Sequence, residues 1–154
     1  MNFGTRGLVV MAALGMVFGA ERADACSCTA PPNKKSEERR LREAKSKATL
    51  VFVGKVVSSR VVQAAPPGIA SRTVVTFSIS KRWKGPSDES VELESRSLPS
   101  TDCVFNFDLS GEYLVFADGP DLIAYVCGYT ASLQHPKATT TLARLGRPAW
   151  EKES

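Results

Sequence analysis

Four cysteines, set as one close pair and two distant partners, constrain this chain more than any other feature. Cys26 and Cys28 stand one residue apart, and Cys103 and Cys127 lie far downstream. Just ahead of the close pair, Ala23-Asp24-Ala25 puts small residues at the two positions a signal peptidase reads. Leu8 to Ala20 form an uncharged apolar stretch behind Arg6. That stretch is shorter than the roughly 20 apolar residues of a membrane span, so residues 1–25 read as a signal peptide. Cleavage after Ala25 makes Cys26 the first residue of the mature protein. A rival cut after Ala20 leaves Phe18 where a small residue is preferred, and Ala23-Asp24 is a poor lipobox for lipid modification of Cys26.

Export decides what the cysteines do. An even number in an oxidising compartment, extracellular or periplasmic, predicts two disulfides. A Cys26–Cys28 bridge closes a very small ring, so long bridges from each to Cys103 and Cys127 are favoured, in either pairing. A thiol-exchange role meets no Cys-x-x-Cys motif. Soft-metal ligation by the sulfurs meets no further ligands at metal-site spacing.

Removing 25 of the 154 residues leaves 129, enough for one domain with a single core. The net charge of +4 is not diagnostic. Basic residues concentrate only in Lys34–Lys47, where Glu37, Glu38 and Glu43 interleave with them. That pattern reads as a solvated helix face, and no nucleic-acid partner is predicted.

Ser36 reads as the cap of this helix, Glu38–Arg42 as an i,i+4 pair, and Leu41, Ala44 and Ala48 as its apolar spacing. Five strands follow at 49–58, 72–83, 90–95, 112–118 and 122–127. In the first, Leu50, Phe52 and Val56 alternate with Val51, Val53 and Val57, so both faces should be covered. In the second, Val75, Phe77, Ile79 and Trp83 share one face. Gly119-Pro120 turns the last two into a hairpin. A closing helix is expected over 138–145, stopped by Gly146, followed by a mobile tail over 147–154. Five short strands with few helices predict a mainly β domain over 26–146, a five-stranded antiparallel barrel of the oligonucleotide/oligosaccharide-binding type with short flanking helices.

Enzyme chemistry is not legible. His135 is the one histidine and sits beside a proline. No Ser or Cys nucleophile motif, phosphate-cradling glycine loop or HExxH helix accompanies it. Asp102, Asp108, Asp118 and Asp121 fall at turns, where carboxylates cap and solvate. The chain is expected to be no enzyme and to carry no cofactor of its own.

The order of features resembles the netrin-like module of the tissue inhibitors of metalloproteinases, including their shorter bacterial relatives. The matching residues are Cys26-Ser27-Cys28-Thr29-Ala30-Pro31-Pro32, the helix leading into Val51-Phe52-Val53-Gly54-Lys55-Val56, and Val75-Thr76-Phe77-Ser78-Ile79 with Lys81-Arg82-Trp83-Lys84-Gly85. Then come Cys103, Gly111-Glu112-Tyr113-Leu114-Val115-Phe116-Ala117, Cys127-Gly128 and the helix ending at Leu145-Gly146. The resemblance covers nearly all of the mature chain. It lacks the third bridge and the second domain of the animal inhibitors.

The resemblance implies bridges Cys26–Cys103 and Cys28–Cys127, and an inhibitory wedge of Cys26, Ser27, Cys28 and Thr29. The α-amine and carbonyl oxygen of Cys26 would chelate the catalytic zinc of a metalloendopeptidase in trans, with Ser27 toward its specificity pocket. A catalytic zinc keeps one position for water, and an amine with its own carbonyl forms a five-membered chelate that can replace it. The alternative is a non-inhibitory netrin-like module, with purely structural disulfides, that binds another extracytoplasmic protein. Either way a monomer is expected, with no stable membrane insertion once the leader is removed.

Overall fold

The computed structural model describes residues 26, 28, 33–62, 72–96 and 103–153. The leader, Ser27, Thr29, the loop at 64–68 and Asp102 lie outside the described residues.

Asn33 opens the first helix, α1 (Lys34–Lys47). Its side-chain oxygen accepts the Ser36 amide at 2.9 Å, satisfying a donor the first turn leaves free. The cap predicted at Ser36 is therefore corrected to Asn33, whose extended backbone aims its carboxamide back along the turn. Leu41 and Ala48 are buried and Ala44 packs beside them. The i,i+4 pair that forms is Arg39–Glu43 at 3.7 Å, not Glu38–Arg42. At the far end, Lys84 Nζ donates to the Lys45 and Ser46 carbonyls at 3.2 and 2.6 Å, closing acceptors of the last turn.

The chain continues through β1 (Leu50–Val62), β2 (Arg72–Lys84), β3 (Ser90–Arg96), β4 (Glu112–Asp118), β5 (Ile123–Ala124), β6 (Ala131–Ser132), α2 (Pro136–Leu145) and β7 (Trp150–Glu151). All strands join one antiparallel sheet in the order β3-β2-β1-β4-β5, with β6 added to β4 and β7 to β2. The sheet curls until its ends approach. Glu94 N donates to the Asp121 carbonyl at 3.4 Å, and Ser95 Oγ to the Phe105 carbonyl at 3.2 Å. The fold is mainly β: a curled, barrel-like antiparallel sheet with two short helices.

The two faces of β1 build two layers. Leu50, Phe52 and Val56 enter the concave core with Val75, Phe77, Ile79, Leu93, Tyr113 and Val115. Phe77 lies edge-on to Phe52 and Phe107 at 5.3 and 4.9 Å between centroids. Such contacts add about 0.5–1.5 kcal/mol each beyond area burial. Val51 and Val53 face the convex side, where Leu41 of α1 and Ala138 and Leu145 of α2 cover them with Leu114 and Phe116. Val57 departs from the expected covering: it is 53 % exposed, because a bulge at that residue interrupts the β1–β2 register beyond the reach of the helices.

A similar device corrects the predicted face of Trp83. Val53 pairs with Lys81 and Gly54 with Ile79, leaving Ser80 as an extra residue, and Trp83 is extra between the partners of Val51 and Phe52. A one-residue shift turns a side chain to the opposite face. Trp83 therefore joins the helix layer, its indole donating to the Gly146 carbonyl at 2.8 Å. Arg82, opposite Phe52, is buried beneath Trp150 with its guanidinium 5.0 Å from the ring. Its Nη1 donates to the Asp88 carbonyl at 3.1 Å.

Strand and helix ends differ from expectation in four further places. β1 runs on to Val62 because β2 and β3 extend with it, tied by Arg60–Glu92 and Arg72–Glu94 at 2.6 and 3.1 Å. The strand expected over 122–127 is regular only at Ile123–Ala124. α2 begins at Pro136, with His135 Nδ1 accepting the Lys137 amide at 3.1 Å as its cap. Finally, residues 149–152 of the tail expected to be mobile are held to β2. Ala149 N donates to the Arg82 carbonyl, Lys152 N to Ser80, and Lys81 pairs with Glu151.

Candidate functional site

Two disulfides join the start of the described chain to one edge of the sheet. Cys26 is bonded to Cys103 and Cys28 to Cys127, with Cα separations of 5.6 and 5.2 Å. The two receiving segments are hydrogen-bonded to one another. Val126 N donates to the Cys103 carbonyl and Phe105 N to the Ala124 carbonyl, both at 2.7 Å, around a Val104–Tyr125 bridge. Cys26 and Cys28 are thus pinned to two adjoining segments of one ladder. No free cysteine is present among the described residues. The sulfurs of both cysteines are committed to the bridges. Two disulfides fit an oxidising, extracytoplasmic setting.

The anchorage is braced from behind. After Cys127 the chain turns at Gly128, whose carbonyl accepts Lys137 Nζ of α2 at 2.6 Å. Next, Tyr129 Oη donates to the Glu37 carbonyl of α1 at 3.3 Å. Burial lowers the Lys137 pKa, with the nearby Glu37 carboxylate opposing the shift. Burial also pushes the Tyr129 phenol up to about 12, helped by the charge of Glu37 and a hydrogen bond to it. Both helices therefore clamp the two residues that follow Cys127, and the staple rests on rigid elements rather than on a loose loop.

On the outer side of the same ladder Tyr125 and Val126 are 45 % and 38 % exposed. Sequence reasoning placed them in a strand without marking them as surface. The signal available was an apolar pair directly before a cysteine, which reads equally well as core. Asp108 and Asp118, read as turn carboxylates, lie at turns. Asp118 Oδ1 accepts the Gly119 amide, and the Asp108 amide donates to Tyr113 Oη at 2.9 Å. His135 is spent on its helix cap. No group of three His, Cys, Asp or Glu that could hold a metal occurs among the described residues. Among those residues, no helix is long and apolar enough to cross a membrane.

No family model matches the chain, and no curated protein matches it in sequence.

Proposed function

We propose that this protein is an exported inhibitor of zinc endopeptidases. On this reading the curled sheet is the five-stranded oligonucleotide/oligosaccharide-binding barrel of the netrin-like module, in its short single-domain form. The observation that carries the reading is the double staple: Cys26 and Cys28 are both fixed to adjoining segments of one ladder. With residues 1–25 removed, Cys26 presents a free amine and its carbonyl oxygen to a partner's catalytic zinc. Ser27 and Thr29 complete the wedge.

The chemistry is consistent with neutral conditions. An unperturbed α-amine has a pKa of about 7.7–8, so shedding its proton near neutrality costs little. The staple removes chain freedom before the partner arrives, so less ordering entropy is lost on binding. Inhibition should strengthen as pH rises through the amine pKa, by about tenfold per pH unit below it.

The test is a panel of zinc endopeptidases assayed with protein whose first residue has been verified by N-terminal sequencing and intact mass. Inhibition is expected from the form beginning at Cys26. One alanine added before Cys26 should weaken it at least about a hundredfold, the scale of losing a metal ligand's orientation or more. An extended protein that inhibits equally well would falsify the chelation mechanism. Mature protein that leaves every peptidase untouched would instead favour a non-inhibitory interaction module on the same scaffold.

A further inference from the structure

Charge on this molecule is not spread evenly. α1 and α2 together carry nine basic and three acidic side chains, a surplus of six, against +4 for the whole chain. Everything outside the two helices therefore nets to −2. The helices lie side by side on the convex face of the sheet, so the surplus is gathered on one side of the protein.

The surplus lines a track rather than a point. Three open concavities, of about 640, 300 and 330 Å³, surround α1 and share lining residues: Arg42 belongs to the first two, Arg144 to the last two, and Asn33 and Lys34 to the first and third. Lys34, Lys35 and Arg42 make no ion pair among the described residues, and Arg39 makes only the 3.7 Å contact with exposed Glu43. At 1.5 Å per residue, the 14-residue helix gives the track a length of about 21 Å.

We infer that the α1–α2 face is a binding surface for an acidic polysaccharide. Charge complementarity calls for a polyanion, and the other lining groups narrow the class. Every exposed position on α1 is Lys, Arg, Glu or Ser, so the helix presents no apolar face to solvent that could enter a lipid headgroup layer. Among the described residues no aromatic side chain lines the concavities, so they offer none of the stacking platform that holds single-stranded nucleic acid. Between the cations stand Asn33, Ser36, Glu38 and Thr140, with Glu37, which pairs with Arg144 at 3.8 Å. A uniform phosphate lattice has no use for Glu38, whereas sugar hydroxyls between spaced carboxylates or sulfates can donate to it. This surface is independent of the zinc-directed reading and lies on a different part of the molecule from the Tyr125–Val126 edge.

Heparin-agarose and a plain sulfonate resin serve as paired probes for the full protein at pH 7. Retention on heparin should exceed retention on the sulfonate by about 0.2 M NaCl or more, the behaviour of several simultaneous ionic contacts. The variant K34Q/K35Q/R39Q/R42Q should lose that excess. The variant K55Q/R60Q/K81Q/K152Q removes the same charge from the sheet side and should keep it. Thermal midpoints by circular dichroism verify that both variants fold; should the first misfold, K35Q and R39Q singly should each weaken heparin binding in solution about threefold or more. Equal retention on both resins, or equal loss in the two fourfold variants, overturns the inference. So does tighter binding at 0.15 M NaCl to phosphatidylglycerol vesicles or to duplex DNA than to heparin.

Discussion

Removing the disulfides one at a time tests how the two staples share their work. Considered alone, Cys26–Cys103 spans 77 residues and Cys28–Cys127 spans 99. The chain-entropy relation then gives about 4.5 and 4.7 kcal/mol. The two loops are not independent, because both begin and end close together. With one bridge in place, the second closes a loop of only roughly 26 residues, two from Cys26 to Cys28 and 24 from Cys103 to Cys127. That smaller loop is worth about 3.5 kcal/mol. Each pair variant, C26S/C103S and C28S/C127S, should therefore lose about 3.5 kcal/mol, and the fourfold variant about 8. The fourfold loss exceeds the sum of the pair losses by about 1 kcal/mol, outside the roughly 0.5 kcal/mol at which independent effects add. Urea unfolding under non-reducing conditions, with slopes fitted separately because the unfolded chains differ in compactness, measures all four proteins. Additive losses near 4.5 kcal/mol each would refute the shared-loop reasoning. Losses under about 1 kcal/mol would refute the entropic account itself.

Two other substitutions probe the frame. A Cβ on Gly54 would lie 2.8 Å from the Ser78 carbonyl oxygen and 2.9 Å from the Phe52 ring, so Gly54→Ala must part β1 from β2. A loss of about 1–3 kcal/mol is expected, and unchanged denaturant unfolding would contradict the packing described. Tyr129 has its pKa raised to about 12 by burial and by Glu37, so the folded state holds that proton more tightly than the unfolded chain does. Its contribution is complete below about pH 10 and is lost as pH climbs from there toward 12. Tyr129→Phe has no such proton, so its stability should fall less over that interval when unfolding is followed from pH 9 to 11. Parallel declines would rule out Tyr129 as the source.

Much of the sheet was legible because its strongest signals are local. Alternation fixed β3 and β4 at nearly their full length, and Gly119-Pro120 marked the turn between β4 and β5. Leu41, Ala44 and Ala48 gave the buried stripe of α1. What escaped depends on partners remote in sequence. β6 and β7 are two residues each, too short to carry a period, and exist because β4 and β2 offer them free edges. The bulges at Ser80 and Trp83 have no residue signature, since Ser-Lys-Arg-Trp continues a plausible alternation. Of the candidate site, the cysteines were plain. The brace behind them was not, because Lys137–Gly128 and Tyr129–Glu37 join helices to a turn. The helix surplus was visible as composition, but its gathering onto one side required the packing of α1 beside α2.

Ser80 carries a consequence out of proportion to its chemistry. It is exposed, and its hydroxyl makes only a 3.3 Å contact with the Val53 carbonyl, so most replacements there should pass unnoticed. Its bulged placement is another matter. Drawn into the ladder, Ser80 would let the alternation of β2 run on unbroken, turning Trp83 from the helices into the concave core and Arg82 from Trp150 into the helix layer. Deleting it instead sets Lys81 directly after Ile79 and leaves the later residues with their present partners and faces. Natural variation at this position should therefore show free exchange of residue type and tolerance of the residue's loss. The bulge acts as a phase marker, setting which layer the rest of the strand addresses.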